Sequence, residues 1–280
     1  MSSMKLKAAA LSAFAFATLA SPSAFATTIN VAVAANFTAT LGVLISAFKA
    51  VYGSGVDVTF KSESSAYLQT EIINHTTAYD LFLSADQSRP QTLATSYPSL
   101  VIGSPFLYAV GELELWSPTV DISAGLPSPI PVDIVLADPN KAPYGTAAAQ
   151  VLSASPWSIT WTPGSPYPPS GTAHVFTKSN ISLTYSDVSN GVYSYGFVHQ
   201  SAICKLVSGV KSFTRVAGYH HTYPYNDTTY PHTEIAQYGI KLVNSARTSA
   251  QDTVLTNFIN FINSTSGKNV IKDYCYSLTL

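Results

Sequence analysis

Four short stretches place hydroxyl, amide or small residues where a predicted strand gives way to a predicted helix: Ala35-Asn36, Ser64-Ser65, Pro143-Tyr144-Gly145 and Asn180-Ile181. The first backbone N–H groups of a helix have no partner inside that helix and carry the positive end of its dipole. Several helix starts that converge would therefore form an uncharged cage for an anion. Side-chain donors from Asn36, Ser64 and Tyr144 would add to the backbone donors.

Each junction alone has a simpler interpretation. Ser and Asn are favoured N-cap residues at any helix start, so a single junction is more often a cap than a ligand site. The four junctions together, in one chain of alternating strands and helices, favour a binding cleft.

The order of strands and helices predicts an α/β fold with a mostly parallel sheet. Strands and helices alternate over the segments "TINVAVAANF", "TATLGVLISAFKAVYG", "VDVTFKSESS", "AYLQTEIINH" and "YDLFLSAD". In open α/β sheets, ligands bind beyond the carboxyl ends of the strands, which is where the four junctions fall.

The second half of the chain continues this alternation. Strands are predicted in "FLYAVGELELWS", "VDIVLADP", "AHVFTKSN" and "YSYGFVHQ", and helices in "TAAAQVLSA" and "ISLTYSDVSNG". The Trp- and Pro-rich segment 156–171 and the segment 218–234 are interpreted as long loops whose roles stay open. Residues 248–276 predict one amphipathic helix and a shorter one.

Two carboxylates flank the apolar run Leu81-Phe82-Leu83 in "AYDLFLSADQSRP". Asp80 and Asp86 could form an acid/base pair, or they could cap turns and helices beside the cleft. Two carboxylates close to a bound anion would repel it, so we expect the structural role.

The N-terminal residues predict that the protein is exported. Lys5 and Lys7 precede a short apolar stretch, and Ala24-Phe25-Ala26 has the pattern of a cleavage site, so residues 1–26 are interpreted as a signal peptide. Without them the chain keeps 12 basic and 15 acidic residues, a net charge of −3. No basic patch is present in the sequence, so we expect no nucleic-acid partner.

The two cysteines, Cys204 and Cys275, lie far apart in the sequence. Export makes a disulfide between them feasible. Two buried thiols are the alternative, and the sequence leaves the choice open.

Other residues suggest different classes of function. His220, His221 and His232 match no zinc-ligand spacing, so we expect no metal site. No G-x-S-x-G motif is present, yet an exported hydrolase using His199 with a cleft serine stays the main alternative. A surface adhesin that exposes Trp157 and Trp161 is a third possibility.

Five segments carry a resemblance to a known family. They are "INVAVAANFTATLGVLISAFKA", "VTFKSESSAYLQTEI", "YDLFLSADQSRP", "LADPNKAPYGTAA" and "GVYSYGFVHQSAI". In order and spacing the chain resembles the periplasmic molybdate-binding proteins of ABC transporters. The resemblance implies a two-lobed α/β fold with a hinge. Lobe 1 would comprise residues 27–107 and 236–280, and lobe 2 residues 108–235.

The resemblance also implies a set of ligand-binding residues. Asn36 matches the polar ligand at the first junction, and Ser64 matches the hydroxyl at the second. Tyr144 and Ile181 match positions whose backbone N–H groups meet the oxyanion. At a position where the family often has a Tyr hydroxyl, this chain has His199, which would donate through an imidazole N–H if it faces the cleft.

The function implied is capture of a tetrahedral oxyanion, molybdate or tungstate, without catalysis and without a cofactor. The partner implied is the membrane permease of an ABC transporter, and we expect a periplasmic monomer. Molybdate and tungstate are nearly equal in size and charge, so the sequence does not separate them. Sulfate or phosphate is the alternative ligand.

Overall fold

The structure, a computed structural model, describes residues 26–279, so the predicted signal peptide lies outside the described residues except for Ala26. The strands are β1 (Thr27–Ala34), β2 (Val56–Glu63), β3 (Leu81–Leu83), β4 (Val101–Gly111), β5 (Leu113–Ser117), β6 (Ile134–Ala137), β7 (Val175–Lys178), β8 (Tyr195–His199), β9 (Lys205–Val207), β10 (Val210–Ser212), β11 (Tyr219–Tyr223) and β12 (Ile235–Leu242). The α-helices are α1 (Thr38–Tyr52), α2 (Ser65–Ile73), α3 (Ser88–Ser96), α4 (Pro143–Ser153), α5 (Ile181–Ser189), α6 (Gln200–Ile203), α7 (Ser249–Asn263) and α8 (Thr265–Asp273).

The first lobe is built on a mixed sheet of strand order β2-β1-β3-β12-β4. Strand β1 runs parallel to β2 and β3, whereas β12 runs antiparallel to β3 and β4. Side chains alternate between the two faces of β1: Val31 and Val33 belong to the core with α1 and α7, and Ala32 belongs to the core with α2 and α3. Because both faces of the sheet are covered by helices, most side chains of β1 are buried, and its sequence is an almost continuous apolar run.

The second lobe is built on a sheet of order β11-β5-β8-β6-β7, in which β6 is parallel to β7 and β8. The Ala-rich helix α4 buries Ala147 and Ala148 against this sheet. Gly145 allows the close approach, since a Cβ there would lie 2.3 Å from the carbonyl oxygen of Ala137 at the end of β6. The carboxyl end of β6 and the start of α4 are therefore held together.

The chain passes between the sheets twice, at Glu112 between β4 and β5, and in residues 224–234 between β11 and β12. Helix α7 then packs on β1, and α8 packs on α1, so the C-terminal segment returns to the first lobe. The predicted two-lobed α/β fold is confirmed. In the first-lobe sheet, strand β4 extends to Gly111 and strand β12 begins at Ile235. The exact residues at which one lobe ends and the other begins stay a prediction.

The interpretation of 218–234 as one long loop is wrong in its first part. Residues 219–223 form β11, which pairs with β5 as an edge strand of the second sheet. The short run is surrounded by Gly, Pro and Asn residues, which hide its strand character. Segment 156–171 contains no helix or strand, as predicted.

In the part of the chain that the structure describes, one helical stretch, Ala35–Tyr52, is apolar and long enough to span a membrane by length and composition alone. Leu41, Leu44 and Phe48 of this stretch are fully buried in the first lobe. Their packing identifies it as a core helix.

Cys204 and Cys275 form a disulfide, with their Cα atoms 5.9 Å apart. Cys204 follows α6, just after the second-lobe strand β8, whereas Cys275 follows α8 of the first lobe. The bond is thus a covalent link between the lobes in addition to the two chain crossings.

Candidate functional site

All four junctions line one narrow cleft between the lobes, with a cavity volume of about 10 Å³. Asn36 and Ser64 lie on the first-lobe side, and Tyr144 and Ile181 on the second-lobe side; each is at most 3% exposed. No Lys or Arg within residues 26–279 lines this cleft. The structure thus brings together four of the five predicted site residues, and their contact with a ligand stays a prediction.

Ser64 is the N-cap of α2, where its Oγ accepts from the backbone N–H of Tyr67 at 3.4 Å. A hydroxyl can accept one hydrogen bond while it donates another. The same side chain can therefore cap the helix and donate to an anion in the cleft. The cap and ligand interpretations of this residue are compatible.

The second lobe offers backbone donors. The first hydrogen bond of α4 runs from the N–H of Thr146 to the carbonyl of Ala142, which leaves the N–H of Tyr144 without a partner in the helix. Asn180 is the N-cap of α5, and its side-chain oxygen accepts from the backbone N–H of Leu183 at 3.1 Å. Ile181 is the first residue of this helix, so its backbone N–H has no partner inside the helix. Two helix dipoles thus point their positive ends at the cleft.

The side-chain amide of Asn36 takes part in a buried network behind the cleft. Its Nδ2 donates to Oε1 of Gln237 at 2.9 Å and to the hydroxyl of Tyr276 at 3.0 Å. The hydroxyl of Tyr276 in turn donates to the main-chain carbonyl of Asn36 at 2.9 Å. Gln237 and Tyr276 were not predicted, because their contacts with Asn36 span 201 and 240 residues and leave no local pattern in the sequence.

The sequence leaves open whether His199 faces the cleft, and among the described residues His199 is not part of the lining of the cleft. His199 ends β8 and is buried behind the cleft, where its Nδ1 lies 2.7 Å from Oγ of Ser201 and its ring packs edge-on against Tyr144. Burial lowers the pKa of His199 from 6.5 to about 3, because the imidazolium would lose its hydration. The imidazole bonds to Ser201 and lies outside the lining of the cleft, so a contact of His199 with the ligand stays a prediction that its position does not support.

The carboxylates that open the strand β3 region have structural roles, as expected. Asp80 accepts from Arg247 and from the backbone N–H of Asn30, far from the cleft. Asp86 pairs with Arg89 at the start of α3 and accepts from its backbone N–H. A carboxylate beside the cleft that was not predicted is Glu63, which directly precedes Ser64 and accepts from the side chain of Asn180.

Hydrogen bonds join the lobes across the cleft. The hydroxyl of Ser182 on α5 donates to the carbonyl of Ala35 at 2.9 Å. The backbone N–H of Ala66 on α2 donates to the carbonyl of Lys141 at 3.1 Å. The two lobes are therefore in a closed arrangement around the cleft.

The histidines of segment 218–234 are engaged in separate contacts. Nδ1 of His220 lies 3.2 Å from Oε2 of the buried Glu114, while His221 and His232 contact backbone carbonyls. Within residues 26–279, no group of three or more His, Cys, Asp or Glu side chains is arranged to hold a metal ion.

Comparison with known proteins identifies the family. A family model described as bacterial extracellular solute-binding protein matches residues 29–277. The chain belongs to this family. Two curated relatives of this solute-binding protein are named molybdate-binding protein ModA. The one from Azotobacter vinelandii is 38% identical over 129 residues, 45% of this chain and 50% of the relative. The one from Rhodobacter capsulatus is 33% identical over 175 residues, 61% of this chain and 64% of the relative.

The matched segments thus span half to less than two thirds of these two relatives. Among solved structures, the periplasmic molybdate-binding protein of Azotobacter vinelandii superposes with a TM-score of 0.71 at 23% identity, covering 90% of this chain and 100% of that one. The sulfate-binding protein SubI from Mycobacterium tuberculosis H37Rv gives 0.64 at 13% identity, covering 89% and 86%. At these identities the structures show that this solute-binding protein shares their fold.

Proposed function

We propose that this solute-binding protein captures a tetrahedral oxyanion, molybdate or tungstate, in the cleft between its lobes. The observation that carries the proposal is the convergence of helix starts from both lobes on a cleft that, in the described part of the chain, no Lys or Arg lines. Partial charges at helix ends favour a dianion, and hydrogen bonds to a charged acceptor are stronger than those between neutral groups. The names of the two curated relatives support the choice of molybdate.

Capture requires the cleft to open and close. In the closed arrangement, Ser182 and Ala66 bond to carbonyls of the opposite lobe. A dianion that accepts from donors of both lobes would add to these bonds and shift the population toward closure.

Export to the periplasm and delivery of the oxyanion to the membrane permease of an ABC transporter complete the proposed role, which includes no catalysis and no cofactor.

The geometry offers nothing to the hydrolase alternative. The serine next to His199 is Ser201, which is 4% exposed and lies 2.8 Å from the hydroxyl of Tyr276. A nucleophile must reach the substrate, and this hydroxyl lies behind the cleft. The cleft residue Ser64 has the N–H of Tyr67 as its side-chain partner, and no base among residues 26–279 hydrogen-bonds to its hydroxyl.

The test is a thermal-shift panel on residues 27–280 with molybdate, tungstate, sulfate, phosphate and chromate. Ligand that binds only the folded state raises stability by about 2.7 kcal/mol at a hundredfold excess over Kd. We expect molybdate and tungstate to raise Tm most. A panel in which no oxyanion raises Tm would refute the proposed function.

A further inference from the structure

Gln237 contacts residues of both lobes, close to the places where the chain crosses between them. It is fully buried on β12, three residues after the second chain crossing ends, and the register of β12 with β4 shifts between Gln237 and Tyr238. Such bulges re-aim a side chain. Here the Gln237 amide contacts a cleft residue from each lobe: its Oε1 accepts from Asn36 at 2.9 Å, and its Nε2 donates to the hydroxyl of Tyr144 at 3.4 Å.

The first chain crossing meets the same two groups. A Cβ on Gly111, the last residue of β4, would lie 2.0 Å from the hydroxyl of Tyr144 and 2.8 Å from Nε2 of Gln237. The absence of a side chain at Gly111 therefore makes room for the contact between Tyr144 and Gln237. Both crossings between the lobes thus border this one hydrogen bond.

The orientation of the Asn36 amide has a consequence for anion binding. Both hydrogens of Nδ2 are used, by Gln237 and by Tyr276, so among residues 26–279 Oδ1 is the polar side-chain atom of Asn36 that accepts no hydrogen bond. Asn36 lines the cleft, and a carbonyl oxygen would repel a dianion there. For the side chain of Asn36 to donate to the ligand, its amide must turn over, which exchanges Nδ2 and Oδ1.

We propose that Gln237 is a positioning residue of the oxyanion site, and that the amides of Asn36 and Gln237 turn over together when the dianion binds. This inference rests on the proposed function. After the reversal, Nε2 of Gln237 donates to Oδ1 of Asn36, and the hydroxyl of Tyr144 donates to Oε1 of Gln237. The Nδ2 group of Asn36 is then released to the cleft.

The surrounding hydroxyls accommodate both orientations. The single hydrogen of Tyr108 is now shared between the carbonyl of Ser84 at 3.0 Å and Oε1 of Gln237 at 3.1 Å. After the reversal it is given to Ser84 alone, because Tyr108 accepts from Nε2. The hydrogen of Tyr276 is in turn shared between the two oxygens of Asn36. Burial raises the pKa of Tyr108 and Tyr144 well above 10, so both keep their hydrogens.

The two orientations therefore have closely matched hydrogen bonding, and a dianion that interacts differently with each selects between them. Asn36 belongs to the first lobe and Tyr144 to the second. When the ligand turns the amide of Asn36, the reversal therefore also changes the hydrogen bond between Gln237 and Tyr144. Gln237 is the residue through which this coupling passes.

The test is a double-mutant cycle on tungstate affinity, measured by calorimetry with residues 27–280. Gln237→Met cannot hold Asn36, and we expect affinity about tenfold weaker or worse. In the Asn36→Ala background the same change should cost less than about twofold, because its effect acts through Asn36. The matched control is Gln150→Met, which removes a Gln bonded to Thr233 near the second crossing but away from Asn36 and Tyr144, and should bind like the native protein.

An effect of Gln237→Met that is equal in both backgrounds, or absent in the native background, would overturn the inference. If Gln237→Met does not fold, side-chain amide NMR on the native protein decides. The NH2 signals of Asn36 and Gln237 should both move on saturation with tungstate while that of Gln150 stays; movement of only one, or neither, contradicts the coupled reversal. A native protein that binds no oxyanion would instead refute the proposed function.

Discussion

Glu63 and Asn180 join the two lobes at the cleft: Nδ2 of Asn180 donates to Oε2 of Glu63 at 3.1 Å. The same carboxylate oxygen lies 3.3 Å from the backbone N–H of Ser64. Each residue sits at the end of an edge strand, Glu63 on β2 and Asn180 after β7. A negative side chain therefore helps to close a cleft that we propose holds a dianion.

Replacing Glu63 by Gln should tighten oxyanion binding severalfold. The amide oxygen of Gln can still accept from Asn180, while the repulsion between the carboxylate and the dianion is removed. Calorimetry with tungstate at low and moderate salt measures this, and the gain should shrink as salt screens the charge. Weaker binding by Glu63→Gln would show that the carboxylate supports the site rather than opposing the ligand.

Ser64→Ala should lose both stability and affinity, whereas a matched cap elsewhere should lose stability alone. Ser264 caps α8, far from the cleft, by accepting from the N–H of Gly267 at 3.1 Å. Removing either cap should cost about 1 kcal/mol of unfolding free energy. Only Ser64→Ala should weaken oxyanion binding, by about tenfold or more, because it also removes a donor to a charge. Equal affinities of the two variants would remove Ser64 from the site.

The disulfide should contribute substantially to stability. Cys204 and Cys275 are 71 residues apart, and closing a loop of that length stabilises the folded state by about 4 kcal/mol. Replacing both by Ser should lower the midpoint of denaturant unfolding accordingly. Because the bond links the lobes beside Tyr276, the variant should also release tungstate faster. An unchanged dissociation rate would show that the bond does not restrain opening of the cleft.

His199 should make the fold sensitive to acid. The folded state protonates it only near pH 3, whereas the unfolded chain does so near 6.5, so stability falls as pH drops from 6.5 towards 3. Between pH 7.5 and 5.5 this amounts to about 1.4 kcal/mol. His199→Asn, which keeps a partner for Ser201, should remove that part of the pH dependence. Native and variant proteins with parallel stability–pH curves would contradict the buried, neutral histidine.

The sequence predicted the local features of this molecule and missed the long-range ones. Strand ends and helix caps are encoded within a few residues, so the junctions at Asn36, Ser64, Tyr144 and Ile181 were found. The place of His199 depends on how β8 packs and on Ser201, which the resemblance alone did not reveal. Gln237 and Tyr276 contact Asn36 only in the folded protein, so no spacing in the sequence predicts these contacts.

The central claim is that an oxyanion binds between the N-termini of α2 on the first lobe and of α4 and α5 on the second. Crystals of residues 27–280 soaked with tungstate test it most directly, because tungsten gives a strong anomalous signal. The account predicts one dominant peak within hydrogen-bond reach of the Ser64 hydroxyl and of the backbone N–H groups of Tyr144 and Ile181. A dominant peak elsewhere, or no peak at saturating tungstate, would contradict it.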